Sequence, residues 1–286
     1  MQNSVIIDRI RSLSRSKTFP DQIAYRSISV AHVSEIAQQL EIGRQEIEIA
    51  ALGYGVVPER YARNMKIFSL ADQIILLKSC VSVVGLGGLG GTVTEILARL
   101  GIGTLNLIDG DHFEDNNLNR QMLSSEALLG TAKATAAAQR VQSVNASVMI
   151  RSHETFLDAE NAAELLEASD VIVDCLDSIP ARFVLETAAR NQRCPLVSAA
   201  IGGAAGQVTT IFPEDTGLEM IYGPPDKAPK HSAEDSLGTL AHCVTLIASL
   251  ECSEVIKILL DKGSLLRHKL HVVDLMHNHH EEMQFL

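Results

Sequence analysis

Cysteine is scarce in this 286-residue chain: five residues, at 80, 175, 194, 243 and 252, with no C-x-x-C pair among them. An odd, scattered set excludes a disulfide framework and a four-thiolate zinc site, and fits reduced thiols in a cytoplasmic protein. Basic charge is also short. Lys and Arg number 24 against 35 Asp and Glu, a formal net charge of −11. That balance argues against general nucleic-acid or anionic-membrane binding, which needs clustered cations, but leaves room for a phosphorylated small ligand held by a few placed ones. No apolar run is long enough to span a bilayer, and the start, Met1 to Arg9, lacks the apolar core of a signal peptide. There is no internal repeat. What remains is 46% hydrophobic and 21% charged, enough for one large α/β domain with an appendage.

The appendage is residues 1–57. Val30 to Leu40 and Gln45 to Leu52 carry apolar residues at helical spacing, and Gly43, Gly53, Gly55 and Pro58 punctuate. The spacing predicts a small helical N-terminal extension, and because the segment is not basic overall it argues against a DNA-binding helix-turn-helix. From residue 58 to 286 a second unit follows. Strands are expected at 81–85, 104–109, 147–151, 170–176, 195–201, 206–212 and 269–274. Helices are expected at about 90–100, 125–143, 158–168, 179–192 and 239–260. This alternation predicts a Rossmann-like α/β fold with a mostly parallel sheet, because parallel strands need crossover helices. The pair around Gly206 and Thr210 is expected to turn antiparallel at the sheet edge. Residues 213–238 hold Pro213, Pro224, Pro225 and Pro229 and read as a long functional loop, and the tail from Met276 as a short polar end.

Open α/β sheets bind ligands at the carboxyl ends of their strands, and the informative residues fall there. Val83-Val84-Gly85-Leu86-Gly87-Gly88-Leu89-Gly90-Gly91 closes the first strand, a glycine turn whose amides can approach a phosphate at a helix N-terminus. Alone it signals a nucleotide, with NAD as the commonest ligand. Asp109, about 19 residues beyond Gly90, closes the second strand, where a carboxylate can accept from ribose hydroxyls or cap the following turn. Asp174 and Asp177 close the strand Val171-Ile172-Val173; Asp174 reads as structural, and Asp177 is placed to hold Mg²⁺ together with phosphate oxygens. Arg120 and Lys133 add two cations that a dehydrogenase does not need there and that a triphosphate does. Each could instead be a solvated helix charge; together they point to phosphoryl or nucleotidyl chemistry.

Arg60-Tyr61-Ala62-Arg63-Asn64, the Gly85–Gly91 turn, Asp109-Gly110-Asp111, Asn117-Leu118-Asn119-Arg120-Gln121, Gly130-Thr131-Ala132-Lys133 and Asp174-Cys175-Leu176-Asp177-Ser178 stand in the order seen in the MoeB/ThiF/HesA family. The chain resembles that family, relatives of the adenylation domain of ubiquitin-activating enzymes, over about residues 58–275. The resemblance implies an MgATP-dependent adenylyltransferase that converts the C-terminal Gly-Gly carboxylate of a small ubiquitin-like, MoaD/ThiS-type sulfur carrier to an acyl-adenylate. It implies roles as well. Gly88 would lie against the nucleotide, Asp109 on the ribose, and Asn117, Arg120 and Lys133 around the phosphates. Asp177 would hold Mg²⁺, and Arg63 would reach in trans into the partner's site of a homodimer. Gly85, Gly87, Gly90, Asp111 and Ser178 complete the expected nucleotide-contact set. Adenylation of a peptide or other small carboxylate, or a non-catalytic nucleotide-binding partner subunit, are the alternatives.

Three departures narrow the chemistry. Where relatives place two zinc-binding C-x-x-C pairs, this chain reads Glu219-Met220-Ile221-Tyr222-Gly223 and ends in Met276-His277-Asn278-His279-His280-Glu281, so a structural zinc is not expected. The loop 213–238 has no cysteine for a thioester, and Cys243 opens an apolar helix as a structural thiol. Ser178 replaces the Asn that relatives commonly carry after the metal-binding Asp; its hydroxyl can still donate.

Overall fold

The computed structural model describes residues 2–229 and 232–285. The N-terminal part holds α1 (Gln2–Leu13), β1 (Arg15–Thr18), β2 (Ala24–Ile28), α2 (Val30–Leu40), α3 (Arg44–Gly53) and β3 (Val56–Pro58). The two helices read from apolar spacing are present. The strands carry no alternating apolar pattern to read: β1 is Arg-Ser-Lys-Thr with every residue exposed, and β3 is only three residues, Val56–Pro58, all buried. They form a three-stranded sheet, β1-β2-β3, antiparallel then parallel. Ile6, Ile10, Ile28, Val33, Ile36, Ile47 and Val56 make a small core of their own between these elements.

The larger unit follows with α4 (Leu70–Lys78), β4 (Cys80–Val84), α5 (Gly88–Leu100), β5 (Thr104–Ile108), α6 (Lys133–Val144) and β6 (Met149–His153). Then come α7 (Ala162–Leu165), β7 (Val171–Asp174), α8 (Ile179–Asn191), β8 (Leu196–Gly202) and β9 (Ala205–Ile211). The short α9 (Glu219–Tyr222) and α10 (Ala233–Leu237), the long α11 (Ala241–Leu260), β10 (Lys269–Asp274) and β11 (His279–Gln284) complete it. One eight-stranded sheet runs β11-β10-β9-β8-β7-β4-β5-β6. The five strands from β8 to β6 are parallel, and β9, β10 and β11 extend the other edge antiparallel. This is the Rossmann-like architecture with antiparallel edge strands that the alternation predicts.

Helices cover both faces, so the inner strands are apolar on both sides. Val81, Val83, Leu105, Leu107, Val171 and Val173 pack toward α5, α6 and α11. Val84, Ile108, Ile172 and Leu196 pack toward α7 and α8. Several elements depart from expectation: the helix expected at about 158–168 is only the four-residue α7, α9 and α10 lie within the loop expected over 213–238, and two larger differences follow. The helix expected over 125–143 is a single 3-10 turn at Glu126–Leu128 followed by α6, because Gly130 at φ 78° breaks the run. The tail expected to be an irregular polar end is β11, paired residue for residue with β10 from Lys269↔Gln284 to Asp274↔His279. All six β11 residues are exposed, and His and Glu on an outer strand leave no apolar period to read.

A buried polar knot joins the two parts. Tyr61, fully buried, donates from its hydroxyl to Glu48 of α3 at 3.2 Å and accepts from Asn145 Nδ2 at 3.0 Å. Arg60 pairs with the fully buried Glu48 at 3.3 Å and donates to Asn145 Oδ1. Burial pushes the Glu48 carboxyl upward, and the Arg60 guanidinium opposes that. Tyr61→Phe keeps the ring but removes one hydrogen bond from each of two buried polar groups, Glu48 and Asn145. It is expected to cost about 1–3 kcal/mol in urea denaturation with the far-ultraviolet circular dichroism unchanged; a midpoint equal to wild type would show that the knot contributes nothing.

Candidate active site

Strand β4 sits between β5 and β7, and its neighbours are reached by crossovers leaving in opposite directions, so a crevice opens beyond the carboxyl ends of these strands. The turn from β4 into α5 is built by close backbone approach. Gly85 has φ 86°, and a Cβ there would lie 2.7 Å from the Cys175 carbonyl oxygen. A Cβ on Gly90 would lie 1.7 Å from the Gly85 carbonyl oxygen. Only glycine permits this packing. Gly87 is the N-cap of α5 without a side-chain cap bond, so the first amides of that helix remain available to an anion.

The crevice has a volume of about 750 Å³, and Gly85, Gly87, Gly88, Asp109, Asp111, Arg120, Lys133, Asp177 and Ser178 all line it. Three expected residues do not line it: Gly90, Asn117 and Arg63. Gly90 packs the helix onto the strand. Asn117 is buried, accepting from the Glu114 amide at 3.0 Å and so closing a capping box. Arg63 is exposed on a short helical turn segment, without an ion-pair partner among the described residues.

The lining charges are arranged in pairs. Asp109 accepts from the Leu86 amide at 2.6 Å and the Asp111 amide at 2.7 Å, which fixes its carboxylate and leaves further lone pairs toward the crevice. Burial raises its pKa, and those two amides and Lys133 work against the rise. The buried Lys133 ammonium pairs with Asp111 at 3.0 Å. Arg120 pairs with Glu234 of α10 at 3.2 Å and donates to the Asn116 carbonyl at 2.8 Å. Asp177 is exposed and has no hydrogen-bond or ion-pair partner among the described residues. No group of three or more His, Cys, Asp or Glu among the described residues could hold a metal alone. A single free carboxylate in a crevice suits Mg²⁺ completed by phosphate oxygens and water. Ser178 caps α8, accepting from the Ala181 amide at 3.4 Å.

Beneath this layer lies a buried group whose Arg182 and Glu251 sequence reading did not find. Asp174, fully buried, accepts from Arg182 Nη1 at 3.0 Å and Ser198 Oγ at 2.7 Å, in line with its structural reading. Arg182 also lines the crevice, and its Nε is buried without a partner. Its position one turn into α8 was the available signal. Cys175 lies just past β7 rather than within the strand expected over 170–176, and it lines the crevice. Burial, with Glu251 and Asp174 nearby, pushes its thiol well above the usual range. Glu251 of α11 lies 3.9 Å from that sulfur; burial, reinforced by Asp174 and opposed by Arg182, pushes its carboxyl well up. Cys243 is buried and its thiol is likewise raised by burial.

Comparison with known proteins adds a lineage to this geometry. The family model described as "ThiF family" matches residues 61–285. The chain is 34% identical over 223 residues to the SAMP-activating enzyme E1 of Haloferax volcanii, covering 76% of this chain and 82% of that protein. It is 33% identical over 220 residues to the adenylyltransferase and sulfurtransferase MOCS3 of Drosophila ananassae; this spans 75% of the chain and 48% of that longer protein. Among solved structures, E. coli MccB with MccA-N7isoASN superposes with a TM-score of 0.70 at 21% identity, over 90% of this chain and 79% of that one, a likeness of fold. No helix among the described residues is long and apolar enough to cross a membrane.

Two outcomes follow from the charges. Glu234→Gln releases Arg120, so equilibrium dialysis is expected to show ATP bound about two- to fivefold more tightly; unchanged or weaker binding would show that the bridge does not compete with the ligand. Glu251 has a raised folded pKa, so the folded chain holds a proton the unfolded chain loses above its own lower pKa. Stability therefore falls as pH rises from the unfolded toward the folded value. Relative to wild type, Glu251→Gln is expected to gain stability across that window, by at most about 1.4 kcal/mol per pH unit. A difference independent of pH, from denaturation series between pH 5 and 9, would contradict this.

Proposed function

The chain belongs to the ThiF family, and from that premise we propose that it is an MgATP-dependent adenylyltransferase that activates the C-terminal Gly-Gly carboxylate of a small ubiquitin-like sulfur-carrier protein. One observation carries the reading. A single crevice at the strand ends gathers an uncapped helix N-terminus, a fixed carboxylate at Asp109, the cations Arg120 and Lys133, and an unpartnered carboxylate at Asp177.

In this reading the α5 amides and Gly88 receive the phosphates, and Asp109 accepts from the ribose hydroxyls. The carrier's carboxylate oxygen attacks the α-phosphorus, the bond to the bridging oxygen breaks, and pyrophosphate leaves with the electron pair. Carboxylate and triphosphate repel one another, so approach requires that their charge be neutralised. Arg120 and Lys133 supply cations once phosphate displaces Glu234 and Asp111 from them. Mg²⁺, held by Asp177, would neutralise further charge on the phosphate oxygens. Positioning of the two reactants supplies much of the remaining acceleration, and no protein nucleophile is required. Arg63, exposed and outside its own crevice, is assigned to the partner's site of a homodimer.

A peptide carboxylate is the second reading. It is favoured by the N-terminal part, where the exposed strand β1 forms one edge of the small sheet and could accept an added strand.

Exchange of labelled pyrophosphate into ATP is expected to depend on a carrier with a free Gly-Gly terminus. Exchange with a peptide alone would select the second reading, and none on any carboxylate would remove both. Asp177→Ala is expected to lower exchange by about a hundredfold or more, in the range of other charge-stabilising groups. If Arg63 acts in trans, mixing and reassociating Arg63→Ala with Asp177→Ala restores about one quarter of wild-type exchange, because mixed dimers carry one intact site. Activity no higher than that of either variant alone would exclude action in trans, and wild-type exchange by Arg63→Ala alone would place Arg63 outside the reaction.

A further inference from the structure

We propose that Phe156 is the platform on which the base of the bound nucleotide stacks. This rests on the nucleotide reading above and adds a residue to it. Phe156 lies in the loop that follows β6, lines the crevice, and is 66% exposed, a large apolar ring left open in a chain whose other phenylalanines are at least partly covered. A ring that open at the mouth of a cavity marks a surface completed by a ligand.

Its place in the crevice selects the ligand part. The ring lies on Gly110: a Cβ there would fall 2.6 Å from the Phe156 Cδ2. Gly110 directly follows Asp109, the carboxylate assigned to the ribose, and the Asp109 amide donates to the His153 carbonyl at the end of β6 at 3.1 Å. Phosphates belong at the α5 N-terminus and at Lys133 and Arg120, so a nucleoside whose hydroxyls meet Asp109 carries its base on the Phe156 side.

The backbone that carries the ring is also held. The Phe156 carbonyl accepts from Asn161 Nδ2 at 2.9 Å, and Asn161 and Asp158 cap one another's amides at 2.9 Å each way. The neighbouring Leu157 packs into the core beneath α7 and α8. A platform on a fixed backbone loses less entropy when a base covers it. A mobile loop residue would show none of this network.

The sequence contains no tryptophan, so Phe156→Trp installs a single fluorescent reporter. ATP and AMP are expected to quench its emission, while inorganic tripolyphosphate, which has no base, leaves it unchanged. Phe156→Ala is expected to weaken ATP binding about five- to a hundredfold with tripolyphosphate binding unaltered, the size of one lost base–aromatic stack. Phe156→Leu, which keeps apolar bulk and loses the π-face, should fall between. In pyrophosphate exchange the Ala variant is expected to raise the KM for ATP while kcat stays within about twofold. Wild-type ATP affinity in Phe156→Ala, or an emission indifferent to ATP, would overturn this inference and leave the adenylyltransferase reading standing. Absence of ATP binding to the wild-type chain would overturn both.

Discussion

Backbone-to-backbone contact around two glycines sets the geometry of the whole site. Gly90 rests on the Gly85 carbonyl, and Gly85 rests on the Cys175 carbonyl. Strand β4, helix α5 and the loop after β7 therefore meet at distances no side chain could occupy. This aims the open end of α5 and the Asp177 loop at the same volume. Gly88, with a Cβ position 3.2 Å from Val244 Cγ1, brings α11 against the same turn. A methyl group at Gly85 or Gly90 would separate β4 from β7 or lift α5, and the cavity between the strand ends would lose its floor.

Charge in the crevice is held in readiness rather than left bare. The chain is acidic overall, and its own carboxylates engage the site's cations: Asp111 on Lys133, Glu234 on Arg120, Asp174 on Arg182. The pairings differ in depth. Arg182 and Asp174 are both buried and serve as a fixed footing, since breaking a buried pair leaves an uncompensated charge. Arg120 and Glu234 are each partly exposed and join the crevice wall to α10, a segment of another part of the chain. A triphosphate arriving at Arg120 exchanges one carboxylate for a phosphate oxygen at little net cost in desolvation. The site can thus bind a highly charged ligand without first exposing naked cations.

The sheet and the placement of residues at its strand ends were legible because both are written locally. β-Branched runs buried on two faces, a glycine cluster and carboxylates just past the strands are short-range patterns, and Asp109 and Asp177 stand where those patterns place them. The strands β1 and β11 were illegible because exposed polar edges carry no apolar alternation. The helix over 125–143 was overrun because periodicity alone did not weigh the backbone break at Gly130. Glu234 and Phe156 escaped for a different reason. Glu234 meets Arg120 across 114 residues of chain, and Phe156 gains its meaning from Gly110, 46 positions earlier (156 minus 110). Such pairings exist only once the fold has formed.

The state of the cysteines bears on how far the chemistry goes. Burial raises the thiols of Cys80, Cys175, Cys194, Cys243 and Cys252. A thioester or persulfide step needs a thiolate, which forms beside cations and near solvent. Cys175 is the thiol that lines the crevice, yet its neighbours Glu251 and Asp174 act in the opposite direction, favouring the neutral form. Attack by a carrier's own carboxylate makes no such demand, because that nucleophile is ionised at neutral pH and needs only charge neutralisation and alignment. In the proposed reaction the crevice would supply those two things, and the environment of its sulfur favours the neutral thiol, so the proposal is for activation of a carboxylate without covalent capture of it.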